Sequence, residues 1–388
     1  MDAFYAAVEV LDRPELAGAP VIVGGGARGV VSAASYPARA FGVRSAMPLF
    51  EARRRCPQGI FVPVRMERYR QMSRRVMEVL GGFSPLLEQV SVDEAYLDLR
   101  GTPVLKAGPA AAGAAIKEAV ATATGLTCSV GLAPLRYLAK IASDRDKPDG
   151  LTVVADVEAF LATVTLKEVP GCGAKARERL GALGLGRLIE LRALGRERLE
   201  RLLGAFGLRL WDLAHGRDPA GVELEREIKS VSHEETFARD IADRAALAAH
   251  LLNLAEKVSR RLRRYGLAGR TVTLKLRHQD FRLVTRRQSL PQPSDVTQEI
   301  YQAARELLVA YAPRGPFRLI GLAVSGLEPA GGGQGGLFDR QEQAKAQALG
   351  RAEDLVCQRF GQDALRRAGG LAVLGQDTPT GHDEVGKK

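Results

Sequence analysis

The sequence predicts an α+β protein of several domains, and three observations carry that reading. Residues 229–328 alternate strand and helix patterns in the order β-α-β-β-α-β, the succession of a ferredoxin-like sandwich. Residues 155–225 show helical periodicity with short connections. Residues 87–99 read as a β-hairpin whose tip carries two adjacent carboxylates, Asp93 and Glu94. A chain of 388 residues has room for about two to four domains at roughly 150 residues each, every one with its own core.

Taken in order, Phe4, Ala7, Val8 and Leu11 recur at helical spacing, and Pro20-Val21-Ile22-Val23 is a short apolar strand. Gly24-Gly25-Gly26 turns the chain. It lacks the Gly-Lys-Ser/Thr ending of a phosphate-binding loop, so it reads as a hairpin connection. A strand over 30–34 leads into a helix through Ala38 and Phe41, and helices follow over 47–55 and 68–80. Within 87–99, Val90 and Val92 share one parity while Leu97 and Leu99 share the other. Side chains alternate faces along a strand, so this slip implies a bend that lets the Asp93 and Glu94 carboxylates converge. A helix over 110–124, a strand over 126–132 and a helix over 135–143 close on Lys147-Pro148-Asp149-Gly150. The helical unit then places the lone Trp211 in its core.

From Lys229 the pattern reads strand (229–237), helix (242–265), strand (270–278), strand (281–289), helix (294–311) and strand (317–325). Val272, Leu274 and Leu276 face one way, and Thr271, Thr273, Lys275 and Arg277 the other, as in a sheet with one open face. Residues 326–336 form a glycine-rich linker, a last helix covers 340–367, and the residues after 372 are expected to be disordered.

Hydrophobic residues make up 46% and charged residues 26%, a balance that suits a soluble protein. No apolar run approaches the roughly 20 residues a membrane span needs, and the start carries no secretory signal, so a cytoplasmic location is expected. The net charge of +11 predicts attraction to polyanions. Residues 229–328 hold 17 Lys and Arg against 10 Asp and Glu, so a quarter of the chain holds most of the excess. Cys56, Cys128, Cys172 and Cys357 lie far apart and read as reduced core thiols, and no zinc site is expected.

Adjacent carboxylates on a hairpin offer hard oxygen ligands for Mg²⁺, although an isolated pair is as readily a solvated turn. The surrounding residues decide between the two. Ser91-Val92-Asp93-Glu94-Ala95-Tyr96-Leu97-Asp98 resembles the palm signature of the Y-family DNA polymerases, of the bacterial DNA polymerase IV type. Asp2-Ala3-Phe4-Tyr5-Ala6-Ala7-Val8-Glu9 resembles that family's opening motif, and Ser35-Tyr36-Pro37-Ala38-Arg39-Ala40-Phe41-Gly42-Val43 its fingers motif. Leu138-Ala139-Lys140-Ile141-Ala142-Ser143-Asp144 with Lys147-Pro148-Asp149-Gly150 resembles the end of the palm. The motifs stand in the family's order and cover about residues 1–328.

The resemblance implies a right-hand polymerase. The palm would be residues 1–10 and 66–154, the fingers 11–65, the all-α thumb 155–226 and the little finger 229–328, with a flexible tail over 329–388. It implies translesion synthesis by two-metal nucleotidyl transfer. Asp93 and Glu94 would be catalytic and would ligate two Mg²⁺ ions with help from the Met1 backbone carbonyl. Tyr5 would be the steric gate against a ribose 2′-hydroxyl. Phe4, Tyr36, Arg39 and Lys147 would bind the deoxynucleoside triphosphate. Val169-Pro170-Gly171-Cys172-Gly173 resembles a helix-hairpin-helix turn, so Gly171, Gly173 and Lys175 would bind DNA phosphates. Lys229, Ser230, Lys275 and Arg277 would extend that contact along primer-template DNA. Gln334-Gly335-Gly336-Leu337-Phe338 resembles the peptide that binds the bacterial sliding clamp, with Gln334, Leu337 and Phe338 as anchors. A monomer is expected.

One departure stands out. In the family the opening motif reads D-x-D-x-F-[YF] at the end of a short apolar strand, and Met1-Asp2 supplies only its x-D. The expectation is a start codon placed too late, and a chain that polymerises poorly as written. The alternative reading is a catalytically impaired adaptor that binds DNA and clamp. Retention of Asp93, Glu94, Tyr5, Arg39 and Lys147 favours the enzyme, because an adaptor has no physical need of them. A generic basic RNA-binding protein would leave the palm motifs unexplained.

Overall fold

The computed structural model describes residues 1–26, 28–218, 220–224, 227–311, 315–331, 339–361, 364–365, 367–371, 380–382 and 385–386. The chain divides into two compact units, one of residues 1–24 and 31–225, the other of residues 25–30 and 226–388.

The first unit opens with α1 (Phe4–Asp12), β1 (Val21–Gly24), β2 (Val31–Ala34), α2 (Tyr36–Ala40), α3 (Leu49–Arg55) and β3 (Ile60–Val62). β1 is apolar and buried along its whole length because it lies between β2, antiparallel, and β3, parallel. The Ser35 hydroxyl accepts from the Ala38 N–H and so caps α2, while Pro37 presets its first turn. Helix α4 (Met66–Gly81) buries Tyr69, Met72, Val76 and Leu80, a stripe at helical spacing.

The hairpin β4 (Leu87–Gln89) and β5 (Ala95–Leu97) pairs Leu87 with Leu97 and Gln89 with Ala95, so its tip is residues 90–94 as expected. Helix α5 (Pro109–Thr124) buries Ala112, Ile116 and Val120 at four-residue spacing. Strand β6 (Val130–Leu132), helix α6 (Arg136–Arg145) and strand β7 (Leu151–Val153) follow, with β6 and β7 parallel. Gly131 lets β6 lie directly on α6, since a Cβ there would collide with the Ala139 carbonyl. Among the described residues β4–β5 and β6–β7 form separate two-stranded ladders. A cavity of about 760 Å³ separates them, lined by Met1, Val76, Leu80, Leu97, Val130 and Leu132 among others.

Helices α7 (Val157–Thr163), α8 (Ala174–Gly181), α9 (Arg196–Leu203) and α10 (Ala205–Ala214) complete the unit. Leu161, Leu180, Leu188, Leu199 and Leu210 are fully buried in a shared core against which Trp211 packs. At Gly207 a Cβ would strike the Leu199 carbonyl, so α9 and α10 touch backbone to backbone.

The second unit holds β8 (Ser230–Ile241), α11 (Arg244–Arg264), β9 (Leu267–His278), β10 (Leu283–Ser294), α12 (Thr297–Ala310) and β11 (Phe317–Pro329), the expected β-α-β-β-α-β order. The sheet runs β10-β9-β11-β8, antiparallel throughout. Asp243 caps α11 by accepting from the Ala245 and Ala246 N–H groups. Leu247, Leu251, Leu254, Val258 and Leu262 of α11 pack on Val272, Leu274 and Leu276 of β9, while Thr271, Thr273, Lys275 and Arg277 keep the partly open face. The ladder slips once between β9 and β11. Phe317 pairs with His278 and Leu319 with Arg277, which leaves Arg318 as an extra residue, a β-bulge.

Helices α13 (Asp339–Phe360) and α14 (Ala368–Leu371) precede short strands β12 (Thr380–His382) and β13 (Val385–Gly386). Arg263 of α11 holds Asp354 of α13 in a fork at 2.6 and 2.8 Å.

Several expectations needed correction. Strands β3 and β7 were unforeseen, because three residues are too few to show a period. Residues 126–129 make no ladder, and residues 326–329 of the expected linker belong to β11, while its residues 332–336 lie outside the described residues. Two strands stand beyond residue 372, where none was expected. They pair along the outer edge of β8, whose backbone groups otherwise lack a ladder partner.

Candidate active site

The tip of the β4–β5 hairpin is held by the Val90 and Ser91 N–H groups, which donate to the Glu94 carbonyl at 2.9 and 3.2 Å. That turn brings Asp93 and Glu94 side by side, both partly exposed. The Ser91 hydroxyl donates to Asp93 Oδ1 at 2.8 Å. Lys140 of α6 donates to Glu94 Oε1 at 2.6 Å and also pairs with Asp144 at 3.1 Å, while Lys147 takes the other Asp144 oxygen at 2.6 Å. Burial works against the Lys140 charge, yet Glu94 and Asp144 outweigh it and raise the ammonium's pKa. Lys140 was not among the expected site residues. Its signal was the i, i+4 spacing to Asp144, which puts both on the helix face toward the hairpin.

Tyr5 lies on α1 in reach of Asp93, whose charge adds to burial in pushing the phenol's pKa up. Its ring stacks on Tyr69 of α4, with centroids 4.2 Å apart and planes 12° from parallel. The fully buried Tyr69 donates its hydroxyl to Glu9 at 2.6 Å. Glu9, also fully buried, takes Arg65 Nε at 2.8 Å and Arg13, while Asp12 receives both Arg65 and Arg68. Nothing in the sequence marked this network, because its members lie in and at the ends of α1 and α4, more than fifty residues apart. Phe4 is buried in the α1 core, so only its backbone is left to face a nucleotide.

Arg39 stacks its guanidinium 4.5 Å over Tyr36 and donates Nε to the Ala34 carbonyl at 3.0 Å. The Tyr36 hydroxyl is buried with no hydrogen-bond partner among the described residues, and burial, then Asp2, raise its pKa. Asp2 is committed elsewhere. Its carboxylate accepts from Ser129 Oγ at 2.7 Å and the Asp149 N–H at 2.9 Å, and it is 4% exposed. The Met1 ammonium donates to the Asp93 carbonyl at 2.8 Å.

Among the described residues no group of three or more His, Cys, Asp or Glu side chains gathers as a metal site. Asp93 and Glu94 still suit Mg²⁺, which is commonly held by one or two carboxylates together with substrate phosphate and water.

The remaining sites are spread wider. Gly171 adopts φ +84° in the turn before α8, and Gly173 starts that helix without a side-chain cap, which leaves its first N–H groups open. Lys175 and Lys229 are exposed, and Ser230 begins β8. Lys275 is not a free cation, since it pairs with Glu234 at 2.5 Å. Gln334, Leu337 and Phe338 lie outside the described residues.

The matched families agree with this geometry. Residues 1–144 match the impB/mucB/samB family and residues 228–337 its C-terminal domain. The DNA polymerase IV 1 of Mesorhizobium japonicum is 42% identical over 94% of this chain and 84% of its own length. The DNA polymerase IV of Caulobacter vibrioides is 40% identical over 94% and 91%. The chain belongs to the Y family of DNA polymerases, DNA polymerase IV type. A Y-family chimera of Dbh and Dpo4 superposes with a TM-score of 0.76 and 29% identity, over 84% of this chain and 96% of its own. The Y-family fold, a right-hand polymerase with a separate C-terminal domain, is therefore the fold of this chain. Among the described residues no helix is long and apolar enough to cross a membrane.

Proposed function

We propose that this chain is a DNA-directed DNA polymerase that copies damaged template. The observation that carries this reading is the convergence on one hairpin tip of Asp93, Glu94, Lys140 and the stacked Tyr5. The palm would be built on the start of α1 together with α4 to β7, the fingers on β1 to β3, the thumb on α7 to α10 and the little finger on β8 to β11.

Asp93 and Glu94 would hold two Mg²⁺ ions, with the Met1 carbonyl beside them. Bound there, the ions lower the pKa of a primer 3′-hydroxyl and neutralise charge on the leaving pyrophosphate. Arg39 and Lys147 bind the triphosphate, the first as a planar fork and the second as a point charge. Lys140 donates to the Glu94 carboxylate, the group that would hold a divalent ion. Tyr5 closes the floor beneath the sugar and rejects a 2′-hydroxyl. The open N–H groups in the first turn of α8, after Gly173, and the exposed Lys175 and Lys229 grip DNA phosphates without reading sequence. Gln334, Leu337 and Phe338 dock the sliding clamp. The protein acts as a cytoplasmic monomer.

Primer extension with Mg²⁺ and four deoxynucleotides tests the reading. This chain is run beside a version with an apolar strand ending in Asp ahead of Met1. Extension that disappears in Asp93→Asn supports the polymerase. Binding of primer-template without extension by either version would transfer the role to a DNA- and clamp-binding adaptor.

A further inference from the structure

The β9–β10 turn spends backbone strain on an aromatic side chain. The Phe281 N–H donates to the His278 carbonyl, and the His278 N–H to the Arg282 carbonyl, both at 3.0 Å. This closure puts Phe281 at φ +65°, a left-handed position that glycine or asparagine fills at no steric cost. Phe281 is 61% exposed, so burial offsets little of that strain.

A second irregularity lies beside it. Arg318, the bulged residue of β11, places its guanidinium 4.7 Å from the centroid of the Phe281 ring. Burial first, then the positive charge of Arg28 and to a lesser extent Arg277, hold the Arg318 pKa below its ordinary value against the opposing charge of Asp240. Among the described residues Arg277 Nε is buried without a hydrogen-bond partner. Two departures from regular sheet geometry thus converge on one exposed aromatic side chain with the Arg318 guanidinium over its ring.

We propose that Phe281 and Arg318 form a stacking site for an unpaired nucleobase, Phe281 offering its open surface to the base and Arg318 its charge to the adjoining phosphate. Base–aromatic stacking tolerates any sequence because every base has a π-face, which suits a protein that binds DNA without reading it. The proposal rests on the DNA-binding reading given above.

The test uses the full chain and a primer-template with a single-stranded template overhang carrying 2-aminopurine at successive positions. Wild type is expected to quench the probe at one or two overhang positions. Phe281→Gly is expected to lose that quench and to bind at least about fivefold more weakly. Its thermal midpoint should stay level or rise, since glycine relieves the turn. Phe281→Tyr should restore quench and affinity, and blunt duplex of the same length should bind all three proteins alike. An unchanged affinity of Phe281→Gly for the overhang, or an equal loss on blunt duplex, overturns the stacking site while leaving the polymerase reading intact. Failure of wild type to bind either DNA overturns both.

Discussion

Tyr5 owes its position to a residue that never meets substrate. A ring stacked on fully buried Tyr69 cannot sink, and Tyr69 is pinned by Glu9. Tyr69→Leu should therefore raise ribonucleotide incorporation about tenfold, read as the ratio of kcat/KM for the two sugars, a change of about 1.4 kcal/mol. Tyr69→Phe keeps the stack and should keep the discrimination, while losing a hydrogen bond to a charged group worth about 1.5–3 kcal/mol of stability. Asp93→Asn should lower kcat at least a hundredfold with the folded signal in circular dichroism unchanged, because Asp93 is partly exposed and an amide oxygen can still accept from the Ser91 hydroxyl. At this scale the sequence was most informative where chemistry is local. Asp93 and Glu94 are neighbours in the chain, and parity alone put them on a tip. Tyr69 and Glu9 were illegible because a buried tyrosine and a helical glutamate look like any others until α1 meets α4.

Helices depend on contacts that pH can reach. Burial alone would raise the Glu9 pKa, but hydrogen bonds from Arg65, Tyr69 and Arg13 reverse this and leave it below the ordinary glutamate range. Hydrogen bonding from Arg68 depresses Asp12 likewise. A carboxylate with a lowered folded pKa contributes stability that is complete above its unfolded pKa and lost as pH falls through the folded one. Glu9→Gln should thus destabilise the fold by roughly 3 kcal/mol at neutral pH. The gap to wild type in denaturant melts should close as pH drops below about 4. Gly207→Ala should cost about 1–3 kcal/mol or more in the same melts, because α9 and α10 have no room for a methyl between them. Long elements such as α4 and α11 were readable from period alone. Strands β3 and β7 were not, since a three-residue strand is defined by its partner rather than by its own sequence.

For the whole molecule the governing quantity is charge. With +11 overall and the proposed DNA contacts made to phosphate, affinity for primer-template should fall at least about a hundredfold between 50 and 200 mM salt in fluorescence anisotropy. A slope near zero would contradict an electrostatic grip. The positive excess of residues 229–328 was plain in the sequence, whereas the pairing of Lys275 with Glu234, which removes one cation from the open face, required the strand register.

The two short ladders on either side of the apolar cavity bear on how the protein behaves in a test tube. Strands β5 and β6 each leave one edge unladdered among the described residues, and between those edges lies a greasy surface. Such edges template the addition of any extended chain, so concentrated solutions should self-associate into β-rich aggregates, visible as rising light scatter and thioflavin fluorescence. Asp93, Glu94, Lys140 and Lys147 line the same cavity, so whatever fills it bears on the proposed chemistry as well as on shelf life.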